Sequence, residues 1–230
     1  MECILKGDLK MTYPNAYHGV KKLFTSQILN LISSILGFVV AILALVGVVS
    51  LAASEGTNFT VVFIALFVGL AAAVLSIIAY IMQIVGLKQA SHDDSSFYTA
   101  FVFAIIGLVL IVLAAIFSAL NVANGFGDEI ASIFSKFSTI VIAAFVLIGV
   151  RSLANKLGQS EMANKAKNVS IFQAVILALS AIASIVALFT GNAATTISGV
   201  LALIAALLTV VFAIVYLVFL GKAKKMLKEN

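Results

Sequence analysis

Residues 60–87 read TVVFIALFVGLAAAVLSIIAYIMQIVGL, 28 consecutive positions without a charged side chain. An α-helix rises about 1.5 Å per residue, so about 20 apolar residues cross a hydrocarbon core of about 30 Å. The run is apolar on every face. A barrel strand would alternate between apolar and polar, so this stretch reads as a helix in lipid.

The rest of the chain repeats the signal. Stretches free of Asp, Glu, Lys and Arg cover 23–54, 56–87, 95–127, 137–150 and 168–221. Over 230 residues, 63% are apolar and 10% charged, with a mean hydropathy of +1.22. Soluble domains carry about a quarter charged residues. The polar surface needed by a water-soluble enzyme, a disulfide scaffold, a disordered tail or a nucleic-acid-binding module is therefore missing. The fold class that remains is all-α: a polytopic integral membrane bundle of six transmembrane helices.

The spans are expected at about 24–52, 60–85, 97–120, 128–157, 169–190 and 197–220. Segment 1–23 precedes this transmembrane domain (24–221), and a basic tail, 222–230, follows it. The long run 168–221 divides at Gly191–Thr196, a polar turn. The fourth span is short of charge-free residues. It reaches membrane length only when extended back to Asp128, whose carboxylate suits an N-cap; the competing reading is a surface helix followed by a stunted span. Cys3 has no partner for an intramolecular disulfide. Lys6, Lys10, Lys21 and Lys22 precede the first span without a separate apolar leader, so that span is expected to act as both signal and anchor.

Six crossings return the chain to its starting side. That side receives 13 of the 14 basic residues, Lys136 being the exception, while Glu55, Asp128 and Glu129 lie opposite. By the positive-inside rule both termini are cytoplasmic, and the plasma (inner) membrane is the expected location.

Glycine followed by a basic residue recurs at the expected inner helix ends: Gly19–Lys22, Gly86–Lys88, Gly149–Arg151 and Gly221–Lys222. Two readings are open. One is three tandem two-helix hairpins; the other is that glycine plus a snorkelling cation marks any inner helix end. Small residues also form stripes at steps of three and four, as close helix packing in lipid requires. Gly37 and Ala41 mark the stripe in the first span, Gly69 and Ala73 in the second, Gly107 in the third and Gly199 in the sixth.

Chemistry is sparse. No ionisable group lies near mid-depth of a span, which argues against a proton relay or a voltage sensor. With His18 and His92 the only histidines, no metalloprotease pair or hydrolase triad can be assembled. The cluster His92-Asp93-Asp94 is a weak metal-site candidate; capping of the third helix by Asp94 or Ser95 is the favoured reading. Gln27, Asn30 and Ser34, with Gln83, Gln173 and Ser180, fall in or near the inner halves of their spans, and Arg151 stands at the inner border. They would line an uncharged polar cavity or else bond helix to helix.

These features lead to a small passive channel or permease for a neutral or weakly charged solute. The alternative is a non-transporting scaffold or assembly subunit acting through helix contacts. No cofactor or resident metal is called for. The expected partners are the lipid bilayer, further copies of the chain or other membrane subunits, and no nucleic acid. Reporter tags at the two ends are expected to be protected together in intact cells. Detection of the two tags on opposite faces would refute six crossings.

Overall fold

The computed structural model describes the backbone of residues 11–53, 59–119, 126–190 and 195–230; side chains are described for 11–43, 61–113, 116, 138–179, 204 and 208–230. Six helices make up the fold: α1 (Pro14–Ala53), α2 (Phe59–Ala90), α3 (Ser95–Ala119), α4 (Phe126–Lys156), α5 (Ser160–Thr190) and α6 (Thr195–Glu229). There is no strand among the described residues. Four segments, Pro14–Leu43, Val61–Ala90, Ser95–Leu113 and Ser138–Lys156, are long and apolar enough to cross a membrane.

Three helices run about nine or ten residues past the expected spans. α1 begins at Pro14 and not near residue 24, α5 begins at Ser160 and not near 169, and α6 continues to Glu229. The border of an apolar run marks the edge of lipid, and a helix crosses that edge wherever it still has a core to pack against. Ala16, Val20, Met162, Ala166, Ala223 and Leu227 supply that core in the extensions. Pro14 occupies the first helical position, where its fixed φ fits and its missing N–H costs nothing. The connection 191–194, where the polar turn was placed, lies outside the described residues.

α4 is one continuous helix, not a surface helix followed by a stunted span. Its start corrects the expected cap: Asp128 is the third helical residue, one turn too late to be the N-cap. Its end is set by Gly158 at φ 69°. There the Gln159 N–H donates to the Ala154 carbonyl (2.8 Å) and the Gly158 N–H to Asn155 (3.1 Å), a Schellman closure that glycine permits.

Each helix packs on its neighbours in the chain, and α6 returns to α1, closing a ring. Thr12 and Asn230 meet, the Thr12 N–H donating to the Asn230 carbonyl at 3.1 Å. Both therefore lie at one end of the ring, here the basal end.

The α1–α2 hairpin is the tightest pair. Gly69, Ala72, Ser76, Ala79, Gln83, Gly86 and Ala90 follow steps of three and four along α2, the heptad spacing that lets two helices approach closely. A Cβ on Gly19 would lie 2.5 Å from the Gly86 carbonyl oxygen, and one on Gly86 would lie 2.8 Å from that of Gly19. The α1 seam runs through Gly19, Leu23, Ser26, Ser33 and Val40, so that Ala41 of the stripe read in the sequence stands one residue off it. Gly37 keeps the seam's spacing but has nothing within 4 Å, and Ala41 and Ala73 are exposed. Gly69 is near Val40, while Gly107 is tight against Ser138, where a Cβ would come within 2.3 Å of Oγ. Gly199 falls outside the described side chains.

Substitution of Gly86 by alanine is expected to cost about 1–3 kcal/mol, because backbone cannot yield to the added carbon. Gly37→Ala should change stability by no more than about 1 kcal/mol, in the stabilising direction. Thermal melting of both variants in detergent checks the contrast; equal losses would place the seam elsewhere.

Candidate functional site

The basal end is closed from within. Val20 and Leu23 of α1, Leu87 of α2 and Phe97 of α3 meet Leu147, Val150 and Leu153 of α4, together with Ala166 of α5 and Leu220 of α6. None of these is more than 2% exposed. All six helices contribute, so the middle of the ring here is packed side chain.

The turn between α2 and α3 sits on this core and holds it together. Asp94 is the N-cap of α3: its Oδ1 accepts the Ser96 N–H at 3.0 Å. Its Oδ2 accepts from the Ser152 hydroxyl (2.7 Å) and from Lys156 Nζ (3.1 Å), both on α4. Burial opposes ionisation of this carboxyl. The hydrogen bonds from Ser152, the Ser96 N–H and Lys156 outweigh it and hold the group below its ordinary value.

Asp93 turns the other way. Its Oδ2 accepts the Ala16 N–H at 2.6 Å and its Oδ1 accepts from Asn15 Nδ2 at 3.1 Å. The residue before Pro14 is Tyr13, which carries no short side-chain acceptor. The first turn of α1 is therefore capped in trans by a residue 77 positions away. His92 is exposed. The two carboxylates serve different helices, and no three His, Cys, Asp or Glu side chains cluster among the described residues.

The polar residues read as cavity-lining are placed separately. Gln173 is 6% exposed and donates from Nε2 to the Ile140 carbonyl of α4 at 2.8 Å. Gln83 is buried on the α1–α2 seam. Gln27 and Asn30 are half-buried, and Ser34 is exposed and donates to the Asn30 carbonyl of its own helix. At about 100° per residue, these three positions fall between the residues of α1 that meet α2 and Phe24, which meets α6 at Gly221. Arg151 is exposed at the basal end, and Ser180 lies outside the described side chains.

Three further polar residues do what Gln173 does; Tyr80 was legible as a polar group at the depth of Gln83, whereas Ser33 and Ser138 carried no signal of their own. The Ser33 hydroxyl donates to the Ala72 carbonyl (2.8 Å), joining α1 to α2. The Tyr80 hydroxyl donates to Ala104 (2.6 Å), joining α2 to α3. The Ser138 hydroxyl donates to Phe103 (3.2 Å), joining α4 to α3. Ser26 Oγ and Gln89 Oε1 are buried without a hydrogen-bond partner.

No family model, curated protein or solved structure matches the chain.

Replacing Asp94 by alanine is expected to cost about 2–3 kcal/mol, from the lost cap and charge-assisted bonds. Because the folded-state pKa of Asp94 is depressed, its stabilisation is complete above about pH 4 and disappears as pH falls through the folded value. Asp94→Asn should flatten that acid limb in a melting-temperature series. An unchanged limb would assign it to other carboxylates.

Proposed function

We propose that the chain is a six-pass protein of the plasma membrane, with both termini cytoplasmic, that serves as a non-transporting scaffold for other membrane subunits or further copies of itself. The observation that carries this reading is the use made of its polar side chains. Ser33, Tyr80, Ser138 and Gln173 each donate to a carbonyl of the adjacent helix, so four successive helix pairs are clamped side chain to main chain. A permeation path needs such groups free to face a solute. Here they hold the ring, and the basal core fills its middle.

The cytoplasmic placement of the basal end is supported by charge. Lys21, Lys22, Lys88, Arg151 and Lys222 stand there, each within two residues of the border of a charge-free run.

One observation favours transport. Ser34 and Ala41 are exposed on the side of α1 that lies between its two neighbours. A ring packed at one end and uncovered further along α1 is the shape of a permease open to one side.

Stopped-flow uptake of glycerol or urea by proteoliposomes separates the two readings. The scaffold predicts the rate of protein-free liposomes. Gln173→Leu should then lower stability by about 0.6 kcal/mol without altering uptake, and in-membrane crosslinking should give discrete products larger than the monomer. Uptake above the protein-free rate that Asn30→Leu abolishes would replace the scaffold with a permease.

A further inference from the structure

The basal ends of α5 and α6 part to leave a cleft of about 330 Å³, a size at the lower end of ligand sites. Lys165 and the start of α5 form one wall, Lys222 and Lys225 the other, and Met162 and Met226 the floor. Glu161 and Glu229 also border it, but each is taken by an ion pair on its own helix, with Lys165 and with Lys225. Lys222 forms no ion pair among the described residues, so the side chains that line the cleft carry one positive charge in excess.

Position decides what kind of anion this charge meets. Lys222 directly follows the charge-free run 168–221, and Lys167 directly precedes it. The cleft therefore opens at the lipid border. From it an apolar strip descends along α6: Val218, Val215 and Val211 lie four, seven and eleven residues before Lys222, on the same helical face. They are 52%, 37% and 48% exposed. Ammonium groups above exposed hydrocarbon match a molecule with an anionic head and an acyl tail.

We propose that the α5–α6 cleft is a binding site for one anionic phospholipid, its phosphate against Lys222 with Lys165 and Lys225 beside it and an acyl chain along the valine strip. The rest of the basal face points the same way. Asp93 and Asp94 are engaged by helix ends, and Glu161 and Glu229 each by a lysine of their own helix, so among the described carboxylates none is paired with Lys222. The site does not depend on whether the ring is a scaffold or a permease.

Native mass spectrometry of the full chain, with phosphatidylglycerol, phosphatidylcholine and glycerol phosphate added in parallel, tests the assignment. The protein is expected to retain phosphatidylglycerol in preference to phosphatidylcholine. Lys222→Gln should weaken that retention about five-fold, the effect of one lysine near a charged lipid surface, and Lys222→Arg should restore it. Lys88→Gln, at the basal end of α2, should leave retention unchanged. Equal retention of the two lipids would overturn the site, as would a Lys222→Gln variant that binds normally. A matching loss in Lys88→Gln would assign the effect to general surface charge. Competition by glycerol phosphate at equal concentration would make the ligand a free anion. Should Lys222→Gln reduce the yield of folded protein, Lys225→Gln reads the same cleft.

Discussion

Two adjacent carboxylates, Asp93 and Asp94, are the interaction on which the ring depends. They occupy a short turn between α2 and α3, yet between them they bind α1, α3 and α4. A helix end leaves four N–H groups without intrahelical partners. Asp94 meets that need for its own helix, and Asp93 meets it for α1, whose own flanking residue is Tyr13. With α1 and α4 both tied to this turn, the first and second hairpins are fixed in relation to each other before any apolar contact is counted. α6 is brought in separately: the Thr12 N–H donates to the Asn230 carbonyl, Phe24 packs on Gly221, and Lys224 Nζ sits 4.5 Å above the Phe24 ring.

Between lipid-exposed helices the hydrophobic effect gives little preference for one partner over another, since a lipid tail is as apolar as leucine. What remains is close approach and polar bonding, and the seams use both. Gly19 and Gly86 bring two backbones together where any side chain would collide. Ser33, Tyr80, Ser138 and Gln173 then add directional bonds that a lipid tail cannot offer. Large apolar residues such as Phe63, Phe67 and Leu70 are exposed on α2, which suits a surface whose solvent is hydrocarbon.

The helical fold was legible because length and uniform apolarity decide it, and residues 60–87 suffice for that. The helix ends were legible only where the chain carries a local signal, as with Asp94 before α3. The extensions of α1, α5 and α6 were missed because Lys21, Lys165 and Lys222 read as the edge of the protein when they mark only the edge of lipid. The packing face of α1 was only partly legible. Gln27, Asn30, Ser34, Gly37 and Ala41 keep the same three–four spacing as the true seam and share the positions of Asn30 and Gly37 with it, so spacing alone could not choose between stripes about 50° apart. The trans cap from Asp93 to Ala16 spans 77 residues, and no local pattern carries such a pairing. Among the recurrent inner glycines, the neighbour differs each time: backbone for Gly19 and Gly86, the ring of Phe97 for Gly149, that of Phe24 for Gly221. Close contact at helix ends accounts for these glycines without requiring that the hairpins be copies of one another.

The two signs of charge are put to different uses. Every described acid at the basal end is consumed internally: Asp93 and Asp94 cap helices and bridge them, while Glu161 and Glu229 pair with lysines on their own helices. Among the described residues, the charges at that end left without a hydrogen-bond or ion-pair partner are those of lysine and arginine. A buried carboxylate is stabilising only where donors surround it, as the Ser96 N–H, Ser152 and Lys156 surround Asp94. Long basic side chains can instead lay their stems on apolar surface and keep their charge at the border. The same division fixes the ring from within and leaves basic side chains at its border, and neither arrangement requires a group able to carry a proton or a substrate.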